Sequence, residues 1–274
     1  MKSTAESIRQ LLLDQYRLDT HVESLPGELD LNFKCTGGQR TYIFKVANAD
    51  ERLDQLELQH AVIAHLNKQR GELQISEVVP AVDGATILTL SDEAGRTRFA
   101  RLLTWVEGRV LASVNPHTTQ LMFRLGELCG RLCAMLKGFD HPAAHRTLKW
   151  DPSGAAWVEP YLEQFDGQRQ HIARRFFRLF SEEALPLLPR LRMSVNYNDA
   201  NDYNVLVGLD PADPRVPGVI DFGDVAWTHT VNELAIALAY AMMHKTDPVA
   251  TAVEVVRGFH QQFALTEDEL HALY

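Results

Sequence analysis

The stretch "SVNYNDANDYNVLV", residues 194–207, places two aspartates and four asparagines between short apolar runs. Amide and carboxylate side chains of this length are poor strand formers. The segment is therefore either a turn-rich loop, its side chains capping its own backbone, or a place that holds cations and takes protons. Downstream, "VIDFGD" (219–224) closes an apolar run with a carboxylate, Asp221. Upstream, "TYIFKVAN" (41–48) carries a lysine, Lys45, on the second extended arm of a hairpin around "TGGQR".

Taken together, the three elements fit phosphoryl transfer. A strand lysine can hold phosphate oxygens. A carboxylate can take or orient the proton of an attacking hydroxyl. An amide oxygen and a second carboxylate can hold Mg²⁺ against nucleotide phosphates. Protein kinases use the spacing D-x-x-x-x-N followed by D-F-G; "DANDYN" (Asp199 to Asn204) and Asp221-Phe222-Gly223 reproduce both in order. Each signal alone is weak, because a lone strand lysine is usually solvated and a D-F-G tripeptide is common by chance.

Around these motifs the periodicity changes once. An amphipathic helix with Ser3 and Glu6 as a capping box opens the chain, with Ile8, Leu11 and Leu12 on one face. Next come the hairpin, a helix over "LDQLELQHAVIAHLNKQ" with Leu56, Val62, Ile63 and Leu66 in register, and strands in "EVVPAVDG", "ATILTLSD" and "TRFARLLTWVEG". After "WVEGRVL" the pattern is helical: "TTQLMFRLGELCGRLCAMLKGF", part of "GQRQHIARRFFRLFSEEALPLLPRL", and the apolar "TVNELAIALAYAMMH". "RVPGVIDFGDVAW" reads as a β-pair behind the polar loop. The expectation is an α+β chain: a small antiparallel-sheet lobe with one internal helix over residues 1–104, and a larger, mostly helical lobe over 105–274.

At 274 residues, 46% hydrophobic and 23% charged, the chain has an ordinary globular composition. A net charge of −9 gives no global field for nucleic acid. No apolar run approaches membrane-spanning length, and the N-terminus does not read as a signal peptide. Cys35, Cys129 and Cys133 cannot all pair with one another, and Cys129 and Cys133, one turn apart, read as small packed residues, so a reducing cytoplasm is expected. "ALTEDELHALY" reads as a helix with Thr266 as N-cap and Leu270 and Leu273 as its apolar side. It stops without a C-cap, which raises the expectation of a longer protein.

The motifs "LPGELDLNF", "TYIFKVANADE", "RLLTWVEGR", "GFDHPAAHR", "NDANDYNVLV" and "VIDFGDVAWTHTVNELAIALAYAM" resemble the aminoglycoside phosphotransferase and choline kinase superfamily over nearly the whole chain, most of all its hydroxylysine-kinase-like branch. The resemblance implies a bilobal protein-kinase-like fold, ATP or GTP with Mg²⁺, and a small hydroxyl- and amine-bearing substrate. It makes Asp199 the catalytic aspartate, Asn204 and Asp221 the metal ligands, and Lys45 the phosphate lysine. Lys45 usually pairs with a helix glutamate; Gln59 stands nearest that place, with Glu57 two residues earlier. Asn32 becomes the phosphate contact of the loop over the nucleotide. "LTWVEG" becomes the interlobe hinge, with Thr104, Trp105 and Val106 at the purine edge. In bacteria, such a domain also resembles the N-terminal part of fusions with an aminotransferase-like domain. No G-x-G-x-x-G and no P-loop is present.

The family's usual lead-in is His-Gly-Asp, and here it is Tyr197-Asn198-Asp199, although the branch often carries Asn-Asp. Asp202 and Asp224 are candidates for a cationic amine; Trp227, His229 and Asn232 for the acceptor pocket; Arg146 for a substrate carboxylate. Each has a plainer role open to it, in the core or in a surface pair. His141 and His145 flank Pro142 without zinc-site spacing; His60 and His65 read as ordinary surface or packed residues. Two rival functions are a catalytically weak nucleotide-binding module regulating a fused or partner enzyme, and a metal-dependent hydrolase. Lys45 and the hinge would have no task in the second.

Overall fold

The computed structural model describes residues 4–27, 29–210 and 215–273. The chain divides into two compact units, Met1–Glu107 and Gly108–Tyr274.

The N-terminal unit holds α1 (Ala5–Tyr16), β1 (His21–Leu25), β2 (Leu31–Gly37), β3 (Arg40–Val46), α2 (Leu53–Asn67), β4 (Val78–Val79), β5 (Leu88–Ser91) and β6 (Thr97–Thr104). The strands form one antiparallel sheet in the order β1-β2-β3-β6-β4, with β5 also on β6. Strand alternation sends Phe33, Phe44 and Leu102 to one face, where they pack with Ile8 and Leu12 of α1. The opposite face carries Asn32, Lys45 and Arg101, which the register aligns in one row across three strands. α1 starts one residue later than the sequence reading has it. Thr4 is the N-cap, and its box partner is Ser7 at N3, not Glu6; Ser3 lies outside the described residues.

The C-terminal unit begins with β7 (Arg109–Val110) and α3 (Thr119–Leu136). A 3₁₀ segment (Pro152–Gln164), α4 (Gly167–Leu179) and α5 (Leu185–Leu187) follow. Then come β8 (Met193–Asn196), β9 (Val205–Val207), β10 (Gly218–Val219), β11 (Ala226–His229), α6 (Val231–Met242), α7 (Pro248–Gln262) and α8 (Glu267–Ala272). "RVPGVIDFGDVAW" is not a strand pair within itself. Its first strand, β10, pairs with β9, and its second, β11, pairs with β8. The loops 197–204 and 220–225 thus join the same two antiparallel ladders. α8 also differs from expectation. Thr266 does cap it, but Leu270 is 43% exposed and Glu269 is 1% exposed. Glu269 turns inward because Arg192 donates to both of its oxygens. Cys129 and Cys133 are buried free thiols on α3. Among the described residues, no helix is long and apolar enough to cross a membrane.

α3 and α7 approach each other closely at glycines. A Cβ at Gly126 would lie 1.9 Å from the Val255 carbonyl oxygen, and one at Gly258 would lie 2.0 Å from the Phe123 oxygen. Backbone cannot give way as a side chain does, so any side chain here pushes two helices apart. Gly258→Ala is expected to lower the unfolding free energy by about 1–3 kcal/mol or more, read as a fall in the denaturation midpoint at unchanged m-value.

Candidate active site

In the C-terminal unit, Asp199 sits in the loop that leaves β8 and returns as β9. Asn201 Nδ2 donates to one of its carboxylate oxygens at 2.6 Å, and Asn204 Nδ2 donates to the other. Asn201 Oδ1 accepts the Tyr203 N–H at 2.8 Å, so the same amide also shapes the turn. Asn204 thereby turns its Oδ1 away from Asp199. The Ile220 N–H donates to the Asn204 carbonyl at 2.9 Å, continuing the β9–β10 ladder by one step. Asp221 is the next residue, exposed and at φ 61°. The ladder therefore fixes the spacing between Asn204 and Asp221. Their amide and carboxylate oxygens are the hard donors Mg²⁺ takes, and such a site is usually completed by nucleotide phosphates. Among the described residues, no group of three or more His, Cys, Asp or Glu is placed to hold a metal by itself.

Two carboxyls here are far from their ordinary values. Burial pushes Asp199 up to about 7, with Asp224 and Asp221 adding repulsion against the pull of Asn201 and Asn204. Burial likewise pushes Glu233, fully buried on α6, up to about 7. Glu233 accepts the Asn198 N–H at 2.8 Å, so the helix holds the loop by its backbone. Asn198 has φ 63°, a left-handed conformation that Asn tolerates better than most residues. Tyr197 is fully buried, donates its hydroxyl to the Ile220 carbonyl, and meets Phe222 edge-on at 5.3 Å.

Trp227, His229 and Asn232 have their side-chain partners outside the Asp199 loop. His229 is flanked by Ser153 Oγ at 2.7 Å and by the Leu188 carbonyl at 3.0 Å, so a neutral ring donates from Nε2 and accepts at Nδ1. Asn232 is 4% exposed, and its Nδ2 lies within reach of Asp151, Ser153 and Thr228. Both anchor the start of the 3₁₀ segment. Trp227 stacks on His145 at 5.1 Å, and His145 also meets Asp140 at 2.7 Å. His141 caps the Ala143 N–H. Arg146 donates to the Gly223 carbonyl, against the Asp221 turn. Asp202 accepts the Ala112 N–H through its backbone, and its charge reaches Tyr240 on α6 together with those of Asp199 and Asp224. Tyr240 was not singled out in the sequence, since an aromatic in an apolar helix carries no signal of its own.

In the N-terminal unit, Lys45 is 6% exposed, between Asn32 and Arg101 in the row across the sheet. Gln59 Oε1 accepts from Arg101 at 2.7 Å, and Glu57 is exposed. His60 is held near 4 by burial and by Arg101, whereas His65 meets Gln69 at the surface. Thr104 and Trp105 donate their N–H groups to Glu77 and Thr41, and Val106 is buried. Arg101 and Glu233 went unremarked in the sequence, although a charge inside an otherwise apolar run ("FARLLTW", "VNELAIA") is the visible mark of a buried polar task.

The profile of the phosphotransferase enzyme family (APH) matches residues 21–270. The chain belongs to this family and is a small-molecule kinase. It is 28% identical to hydroxylysine kinase of Mus musculus over 276 residues, covering 92% of this chain and 73% of the mouse protein. The Bos taurus hydroxylysine kinase matches at 28% with the same coverage. Among solved structures, a microcompartment-associated aminopropanol kinase superposes with a TM-score of 0.72 at 20% identity, over 96% of this chain and 83% of that one. An amicoumacin kinase in complex with AMP-PNP and Ca²⁺ superposes with a TM-score of 0.67 at 17% identity, over 89% and 73%.

Glu233→Ala is expected to cost about 2–5 kcal/mol, from the cavity and the loop N–H left without an acceptor. Its folded value, about 7, lies above the unfolded value of about 4.3. The folded state therefore holds the extra proton between these values, and stability falls as pH rises through that window. Glu233→Gln should remove its share of that slope, measured as unfolding free energy against pH from 4 to 8.

Proposed function

We propose that the chain moves the γ-phosphoryl group of ATP or GTP to a hydroxyl of a small amine-bearing metabolite, a hydroxylated amino acid or amino alcohol. The observation that carries this reading is the juxtaposition of the Asp199–Asn204 loop with the Asp221 turn through the β9–β10 ladder. The similarity to hydroxylysine kinases supports the class of acceptor. So does the negative field of Asp199, Asp202 and Asp224 around Tyr240, which suits a cationic group.

In this reading the Asp199 carboxylate orients the acceptor hydroxyl and takes its proton as the acceptor oxygen bonds to the γ-phosphorus. The bond from that phosphorus to the bridging oxygen breaks, and the nucleoside diphosphate leaves. Asn201 and Asn204 hold the carboxylate in one rotamer, so little reorganisation is needed. Asn204 and Asp221 would hold Mg²⁺, which when bound neutralises phosphate charge. Lys45, with Asn32 beside it, would hold phosphate oxygens, and Arg101 would add positive charge behind them while Gln59 fixes its guanidinium. Since the Thr104 and Trp105 amides serve the sheet, Val106 is the hinge residue we assign to the purine edge. Asp202 and Asp224 are assigned to the acceptor's amine. His229 and Asn232 act on the acceptor side only through the 3₁₀ segment they anchor.

The ionised form of Asp199 is the active one, and its value is about 7. Hence kcat/KM should climb about tenfold per pH unit below that value and level off above it. Asp199→Asn should lose about 10²–10⁴ in kcat and flatten the profile. A coupled assay over hydroxylated amines with both nucleotides tests the reading; full turnover in Asp199→Ala would defeat it.

A further inference from the structure

The two residues that depart from the family's His-Gly lead-in end on the same turn. Tyr197 donates its hydroxyl to the carbonyl of Ile220, just before Asp221. Asn198 donates its side-chain amide to the carbonyl of Asp224, three residues after it, at 3.2 Å. Between these anchor points Asp221 sits at φ 61°, a region that a residue with a Cβ enters at a cost. Inside the turn, the Gly223 N–H reaches back to Asp221 Oδ1 at 3.1 Å. Both donors are buried: Tyr197 is fully buried and Asn198 is 5% exposed, with its N–H on Glu233. The Tyr197 ring also meets Phe222, the residue after Asp221, edge-on. A glycine at position 198 has no side-chain amide to give, and an imidazole at 197 ends short of the point the phenol hydroxyl reaches.

We propose that Tyr197 and Asn198 are positioning residues for the divalent cation: their hydroxyl and amide clamp the two ends of the 220–224 turn and hold Asp221 in its left-handed conformation. The proposal rests on the assignment of Asp221 as a cation ligand made above. Neither side chain touches nucleotide or acceptor in this scheme. Their removal should therefore weaken metal binding and leave the chemistry at saturating metal nearly intact. A purely structural role would lower thermal stability and leave the metal constant where it is.

The test is Mn²⁺ binding, followed by the loss of the free-ion electron paramagnetic resonance signal, in the presence of a non-hydrolysable ATP or GTP analogue and corrected by the same titration of the analogue without protein. The proteins are the wild type, Tyr197→Phe, Asn198→Gly, the double variant and Asp221→Asn. Tyr197→Phe keeps the ring and its packing, and Asn198→Gly keeps the left-handed backbone, so both retain what the fold needs. Losing one buried hydrogen bond should weaken Mn²⁺ binding by about three- to tenfold in each single variant. The double variant should be weaker than either. At saturating Mg²⁺, kcat should stay within about twofold of wild type, and nucleoside diphosphate affinity in EDTA should not change. Wild-type Mn²⁺ affinity in both single variants overturns the proposal, whatever their melting temperatures. If Asp221→Asn also binds Mn²⁺ as the wild type does, the assignment of Asp221 is what has failed, and the proposal falls with it. If only Asp221→Asn loses binding, the assignment stands and the clamp alone is refuted.

Discussion

Glu233 accepts the N–H of Asn198 from a position with no solvent contact, and the candidate site depends on that hydrogen bond. The loop it holds is not a hairpin turn: β8 and β9 pair with β11 and β10, not with each other. A loop between strands that do not pair gets no closure from its own ladder. It needs an outside anchor, and a side chain from the following helix supplies it. A carboxylate suits this task because it accepts from backbone N–H groups without asking for a donor in return.

That anchor and Asp199 share one physical circumstance. Each is a carboxyl taken largely out of water, and each is raised by burial to about 7. For Glu233 the raised value records the cost of putting an acid under a helix. For Asp199 the same shift leaves the group poised near neutrality, where a proton acceptor works best. Folding is opposed by both groups as the pH rises, so the stability of the N–H anchor and the basicity of the loop carboxylate are set by one low-dielectric interior.

Much of this was legible in the sequence. The D-x-x-x-x-N and D-F-G spacings are local, and so is the switch from strand to helical periodicity; local patterns survive in one dimension. The helix faces of Ile8, Leu12, Leu56 and Val62 were legible for the same reason and are buried. What was not legible was non-local. "RVPGVIDFGDVAW" has two strand-like runs, but which strand each run pairs with is decided by the chain before the loop. Hydropathy alone turns Leu270 inward, and the Arg192–Glu269 pair, across 77 positions, reverses the face. His229 and Asn232 have site-like chemistry, yet Asp151, Ser153 and Leu188, all distant in sequence, take up their polar atoms.

The acidic surroundings of Asp199 have a further consequence under the proposed assignment. Asp221 and Asp224 both raise its value, so any positive charge brought among them lowers it. A cation on Asp221 and an ammonium on the acceptor would each do this. The carboxylate would then be more fully ionised in the complex than in the free protein. An acceptor bearing an amine would help to ionise the base that takes its own hydroxyl proton, whereas a neutral alcohol of the same shape would not. Preference for an amine would thus arise partly in binding and partly in proton transfer. The two contributions separate because the first moves KM and the second moves kcat and its pH midpoint.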